Sequence, residues 1–276
     1  MPDREATLHS LVCCAACGAP LAFSQGGQRV CCEGDTGSAY RRGFLIHDPA
    51  LGTSPSPEML VRDGDARNYL LHPKFPTQID RLQRFVHDRV SQADTVLDLG
   101  CGPGPTTEML LHKGAKVVAV DFSIQSLVIN AHLCGAHSDD ALFVQADLNT
   151  IRFADGAVDG LMMADFLQHL GDRKTQGAFL ENVFHALKPG GWFYLSFFNT
   201  NMFHGLKGEK EGIRGNIGYR RMSLSEVRAM LPEGIVAKRE YVTNIFNNAA
   251  SDRIAVRLPG ASLFARMCVI EGRRLA

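Results

Sequence analysis

From residue 95 onward, short apolar runs of strand length alternate with segments of helical spacing. Val96, Leu97 and Leu99 make the first run, which ends in Gly100-Cys101-Gly102-Pro103-Gly104. Pro105 suits the first turn of a helix, where its missing N–H costs nothing, and residues 108–111 continue it. Residues 116–121, 141–147, 158–163 and 192–198 repeat the strand pattern, and residues 235–244 and 266–273 supply two more. Helices fall between them: residues 125–134 behind a capping Ser123, residues 172–188 up to Pro189-Gly190-Gly191, and one opened by Ser223 and Glu226 at capping-box spacing. Upstream, Ile79, Leu82, Phe85, Val86 and Val90 recur at three- and four-residue steps, so residues 67–92 are expected to be partly helical. Such alternation implies an α/β domain, a parallel sheet with helices on both faces.

Composition changes this picture little. The 276 residues are 45% hydrophobic and 21% charged, enough to build a packed core, and the formal net charge is zero. Zero net charge gives no global pull toward nucleic acid or an anionic membrane, although residues 201–276 carry 13 Lys/Arg against 7 Asp/Glu. No apolar run is long enough to cross a bilayer. Met1-Pro2-Asp3-Arg4-Glu5 is polar and mixed in charge, unlike a secretion signal. With eight cysteines, that points to a reducing, cytoplasmic setting and to thiols used for metal or structure.

Residues 1–48 form a separate compositional zone holding Cys13, Cys14, Cys17, Cys31 and Cys32. Cys14-Ala15-Ala16-Cys17-Gly18 is a thiolate knuckle, and Cys31-Cys32 follow across a stretch with Gly26-Gly27 at its middle. Two thiolate pairs at that separation can hold one tetrahedral zinc across a hairpin. The second pair is vicinal, so the fourth ligand is left among Asp35, Cys13 and the second member of that pair; a ribbon held by packing without metal is the alternative. The segment resembles the zinc ribbons that precede some methyltransferase domains, among them the large-subunit rRNA guanine methyltransferases, with residues 38–46 as its final strand. It is not basic: residues 1–60 hold four Lys/Arg and six Asp/Glu. Residues 49–66, punctuated by Pro49, Gly52, Pro55, Pro57 and Gly64, read as a linker.

The strand, glycine turn and helix at residues 95–111 suit an anionic group. Asp121 ends the second strand, where a carboxylate accepts from ribose hydroxyls, as in dinucleotide sites. Asp147 ends the third, where it can accept from an adenine amino group. The glycine spacing is G-x-G-x-G and not the dinucleotide G-x-G-x-x-G, which disfavours a nicotinamide-dependent oxidoreductase. Residues 96–104, Val120-Asp121, Ala146-Asp147-Leu148, residues 158–163 and Leu187-Lys188-Pro189-Gly190-Gly191 together resemble the class I S-adenosylmethionine (SAM)-dependent methyltransferases over about residues 90–275. The resemblance implies a seven-stranded Rossmann-like sheet within a domain over residues 67–276. It also implies a SAM site in which Asp98, Gly100, Gly102 and Gly104 meet the methionine end, Asp121 and Phe122 the ribose side, Asp147 and Leu148 the adenine, and Ala164 and Asp165 the sulfonium.

Methyl transfer needs alignment and exclusion of water, and a base only where the acceptor must shed a proton. His169 is a candidate base, or it closes the adenine side of the cleft. His204, Asn199 and Asn201 follow the fifth strand in an apolar setting that suits acceptor orientation. Tyr69 is placed to reach ligand or to pack on the core. Arg220-Arg221 fits a carboxylate or phosphate, or a solvated charge pair; Asn244-Ile245-Phe246-Asn247-Asn248 is a further acceptor-side segment. A small metabolite is the favoured acceptor, with Phe197, Phe198, Phe203 and Phe246 as pocket lining. Structured RNA is the alternative, and a SAM-binding interaction protein without turnover is the reading from another class.

Overall fold

The structure, a computed structural model, describes residues 8, 10–14, 17–21, 39–41, 44–47, 56–71, 75–208, 210–214, 217–245 and 260–276. Five strands run parallel through its centre: β3 (Thr95–Leu99), β4 (Lys116–Asp121), β5 (Ala141–Gln145), β6 (Val158–Met163) and β7 (Leu187–Phe198). Toward one edge, β11 (Ala265–Arg274) pairs antiparallel with β7, and β10 (Ile235–Ile245) antiparallel with β11. Toward the other, β2 (Phe44–Ile46) pairs parallel with β5 and antiparallel with β1 (Ala39–Arg41). The order is β1-β2-β5-β4-β3-β6-β7-β11-β10.

The central strands alternate between two cores, as period-two side chains require. Leu97, Leu99, Val118, Val120, Leu142, Val144, Leu161 and Met163 face one core. Val96, Val117, Ala119, Ala141, Phe143 and Met162 face the other. The first core is closed by α5 (Arg173–His185) through Phe179, Leu180, Val183 and Phe184. The second is closed by α2 (Phe75–Arg89), α3 (Pro105–His112) and α4 (Ile124–Cys134), through Leu82, Phe85, Val86, Leu110, Leu111 and Leu127. Each such side chain, fully buried, contributes about 1.5–3 kcal/mol. Ser123 caps α4 and the Ser223–Glu226 capping box opens α7 (Leu224–Arg228), both at the expected positions.

Four expectations need correction. The sheet has nine strands rather than seven, because β1 and β2 are hydrogen-bonded onto its edge. Those strands come from the segment expected to stand apart as a ribbon, and Leu8, Leu11, Val12, Cys14, Leu21 and Leu45 lie in the same buried core as the central strands. The expected linker contains a helix, α1 (Pro57–Tyr69), capped by Ser56 with Pro57 as its first residue: a proline that read as a breaker starts a helix. Pro189-Gly190-Gly191 lies near the start of β7, and the preceding helix ends at His185. The Gly26-Gly27 tip, Asp35 and residues 246–248 lie outside the described residues.

Candidate functional site

At the C-terminal end of β3 the chain turns through three left-handed glycines, with φ of 68° at Gly100, 53° at Gly102 and 100° at Gly104. Two of them are closed to any side chain. A Cβ on Gly100 would stand 2.6 Å from the Phe166 ring, and one on Gly104 would fall on the Asn130 amide; over Gly102 no heavy atom lies within 4 Å. The turn therefore packs on its flanks and opens at its middle.

Two carboxylates organise it. Asp121 accepts from the Gly102 backbone N–H with one oxygen and from the Ser123 N–H with the other, both at 2.9 Å. Burial raises its pKa, with those two backbone bonds opposing. Asp98 is buried beneath the turn and accepts from the Thr107 hydroxyl at 2.7 Å; Thr107 accepts in turn from Asn130 at 2.9 Å. Burial pushes the Asp98 carboxyl up to about 7, against the Thr107 hydrogen bond. Asp147 lies just past β5, half-buried, with one carboxylate oxygen accepting from the backbone and side-chain amides of Asn149. Leu148 beside it is buried, and Phe122 is half-buried next to Asp121. The structure thus brings Asp98, Gly100, Gly102, Gly104, Asp121 and Asp147 to the C-terminal ends of three adjacent strands.

Beyond β6, Ala164 leads into Asp165, which holds a left-handed φ of 58°. For a residue with a Cβ that conformation costs on the order of 1 kcal/mol, and its surroundings hold it there. Asp165 accepts from the Ser196 hydroxyl and from Gln78 at 2.9 Å, and Arg81 approaches at 3.8 Å. Arg81 is itself buried, donating to the Tyr194 hydroxyl at 2.9 Å and the Thr243 hydroxyl at 3.1 Å. Gln78, Arg81, Tyr194, Ser196 and Thr243 escaped the sequence reading. The available signal was a glutamine and an arginine at positions 78 and 81, in step with Phe85 on the inward face of an amphipathic helix.

His169 donates its Nδ1 proton to the Gly218 carbonyl at 2.8 Å, which leaves the lone pair on Nε2. Its pKa is lowered to about 4, first by burial and then by the charge of Arg62, with the Gly218 bond opposing. Phe198 lies edge-on to it at 6.1 Å and Tyr219 edge-on to Phe198 at 5.7 Å. The hairpin of β8 (Glu211–Arg214) and β9 (Ile217–Arg220) thus walls this side. Tyr69, at the end of α1, is 44% exposed; desolvation raises its pKa to about 12, with Asp165 and Asp121 adding to the rise and Arg62 and Arg81 opposing.

Two residues expected on the acceptor side are held by structural hydrogen bonds. Asn199 is buried, its amide donating to the carbonyls of Ser262 and Ala265 at 2.6 and 2.8 Å. Asn201 caps α6 (Met202–Lys207), accepting from the His204 backbone at 3.1 Å. Arg220 pairs with Glu211 across the hairpin at 3.3 Å, and His204 is half-buried on α6. Cys14 is buried and Cys17 exposed, and the Gly18 N–H donates to the Cys14 carbonyl at 2.9 Å. Cys31 and Cys32 lie outside the described residues, and among those described no three His, Cys, Asp or Glu side chains gather as a metal site.

Comparison with known proteins agrees with this geometry. Residues 96–191 match the family described as methyltransferase domain. Among relatives, a ubiquinone biosynthesis O-methyltransferase of Xylella fastidiosa (strain M23) is 30% identical over 135 residues, covering 48% of this chain and 52% of the relative. A demethylmenaquinone methyltransferase of Corynebacterium urealyticum is 34% identical over 116 residues, covering 42% and 46%. The chain spans about half the length of these relatives. The fold is shared with a 1,6-didemethyltoxoflavin N1-methyltransferase of Burkholderia thailandensis, solved with S-adenosylhomocysteine (SAH): TM-score 0.55, 18% identity, 79% of this chain and 86% of that one. A SAM-dependent methyltransferase structure from Listeria monocytogenes superposes with TM-score 0.57 at 16% identity, over 73% and 99%. Among the described residues no helix is long and apolar enough to cross a membrane.

Proposed function

We propose that this chain is a SAM-dependent methyltransferase acting on a small-molecule acceptor. The observation that carries the reading is the alignment of the glycine turn, Asp121 and Asp147 at the C-terminal ends of β3, β4 and β5. In an open α/β sheet that edge is where ligands bind. The relatives act in quinone biosynthesis by name, which favours an acceptor with a ring oxygen or carbon nucleophile over RNA.

The residues fit the cofactor. The space over Gly102 admits the amino-acid end, and each oxygen of Asp121 retains a lone pair beyond its single backbone bond, so ribose hydroxyls have acceptors. Asp147 and Leu148 pair a half-exposed carboxylate with an apolar surface suited to adenine. Bound SAM supplies an electrophilic methyl carbon on a positively charged sulfur. Asp165, fixed by Gln78, Ser196 and Arg81, holds negative charge beside that position and can orient an acceptor hydroxyl. His169 presents an unprotonated Nε2 at neutral pH, and with its pKa near 4 it takes a proton readily only from an already acidic acceptor. Phe198 and Tyr219 offer the acceptor an aromatic wall that excludes water.

Incubation with methyl-labelled SAM and size-fractionated, nuclease-treated cell extract tests the proposal. Nuclease-resistant label in molecules below about 1 kDa is the expected result, a drug-sized pocket ligand. Label lost on nuclease treatment turns the reading to RNA. The zinc expectation at Cys14, Cys17, Cys31 and Cys32 is tested by metal analysis: about one equivalent supports it, and less than about half an equivalent removes it.

A further inference from the structure

Helix α1 packs against α4 and β9, beside the glycine turn, with little apolar anchorage. Of its thirteen residues only Met59 and Ala66 are buried, Leu60 and Tyr69 are exposed, and Gly64 weakens its interior. A helix with so small a buried face draws its position from specific polar contacts. The contact that stands out is Asp63. Its Oδ1 accepts from the Ser123 hydroxyl at 2.5 Å and from the Gln125 backbone N–H at 3.3 Å, so a carboxylate on α1 sits against the N-terminus of α4. The same Ser123 hydroxyl accepts from the Ser126 N–H at 3.1 Å, capping α4, so its one proton is free to go to Asp63. Ser123 also donates its backbone N–H to Asp121, which in turn accepts from Gly102. An unbroken series of hydrogen bonds therefore runs from α1 through Ser123 and Asp121 to the open middle of the glycine turn.

We propose that Asp63 is a positioning residue: it latches α1 beside the glycine turn and couples the seating of α1 to occupancy of the ribose position at Asp121. This inference rests on the reading of Asp121 as a cofactor-ribose acceptor. When ribose hydroxyls engage Asp121, the β4–α4 turn that presents Ser123 is fixed, and the Asp63 latch is fixed with it. With α1 seated, Tyr69 feels the charge of Asp165 and His169 that of Arg62, so fixing α1 completes the acceptor side once the cofactor is in place.

The test uses SAH, so no acceptor is needed. Hydrogen exchange of residues 57–69 and the SAH off-rate by stopped flow are measured for the full chain, for Asp63→Ala and for Asp63→Asn. In the unaltered chain SAH raises the protection of residues 57–69. Asp63→Ala abolishes that increment and speeds SAH release about tenfold, the effect of losing one charge-assisted hydrogen bond. Asp63→Asn, which keeps an oxygen acceptor, falls between the two. A merely structural role would lower the melting temperature of Asp63→Ala without changing the SAH-dependent increment, and that result overturns the inference, as does an unchanged off-rate. If Asp63→Ala does not fold, Asp63→Asn alone decides by the same two readouts. Failure of the unaltered chain to bind SAH sinks the cofactor reading and this inference together; SAH binding with unchanged α1 protection sinks this inference alone.

Discussion

Asp98, Asp121 and Asp147, on β3, β4 and just past β5, find their partners close by in the chain. Asp121 bonds to Ser123 and Gly102, Asp147 to Asn149, and Asp98 to Thr107, none more than nineteen residues away. Around β6, β7 and β10 the partners are distant: Asp165 meets Ser196 and Gln78 across 31 and 87 positions, and Arg81 meets Tyr194 and Thr243 across 113 and 162. The first half is a turn geometry closed by hydrogen bonds between near neighbours in the chain. The second is a side-chain network that exists only once the whole sheet is assembled. A cleft made this way keeps one side constant and leaves the other to be respecified through a few buried side chains.

The comparison is broken most severely at Arg81. Arg81→Met leaves Asp165 without its cation and removes the Arg81 donor from the buried hydroxyls of Tyr194 and Thr243. The expected loss is about 3–5 kcal/mol of stability by urea denaturation, the cost of unpairing a buried charge. Because the β3–β5 half closes its own hydrogen bonds, the protein that remains folded is expected to bind SAH within about threefold of the unaltered affinity, a difference below 1 kcal/mol. On the other side, Gly104→Ala puts a methyl group into the Asn130 amide, which is pinned by its bond to Thr107, at a φ of 100°. About 3 kcal/mol is expected to be lost, and SAH binding with it, read by calorimetry.

The two halves also respond to pH with opposite sign. His169 has a folded pKa near 4, below its ordinary 6.5, so the unfolded chain binds a proton that the native chain refuses, and stability falls as pH drops from about 6.5 to 4. Asp98 has a folded pKa near 7, above its ordinary 3.8, so the native chain keeps a proton that the unfolded chain releases, and stability falls as pH rises from about 4 to 7. Each contribution is on the order of 3 kcal/mol. Urea denaturation between pH 4 and 7.5 is expected to show His169→Gln flattening the acid-side loss and Asp98→Asn, which still accepts from Thr107, flattening the opposing one. The mildest test is Thr243→Val, which removes one acceptor from Arg81 and is expected to cost about 1 kcal/mol.

What could be read from the chain follows the same division. The strands, the glycine turn, Ser123, the capping box and the acids at 98, 121 and 147 were legible because each depends on local conformation or on the end of an apolar run. Gln78, Arg81 and Thr243 were not, since their partners lie across the sheet. Asn199 and Asn201 read as acceptor-facing from their place after the fifth strand in an apolar setting, and their backbone hydrogen bonds, which need the folded chain, were not legible. Pro57 misled for a physical reason: a proline that breaks a helix interior is well placed at a helix start. The N-terminal segment read as separate because its cysteines differ in composition from the rest, whereas Leu8, Leu11, Val12, Leu21 and Leu45 are buried with the main core.

The central claim is that the glycine turn and Asp121 hold the ribose and amino-acid parts of SAM. Calorimetric titration of SAH into the unaltered chain and into Asp121→Ala measures it directly. One site per chain is expected, weakened about 10- to 100-fold in Asp121→Ala, as loss of hydrogen bonds to a carboxylate requires. SAH binding of equal affinity in both proteins, or no SAH binding to the unaltered chain, would contradict it.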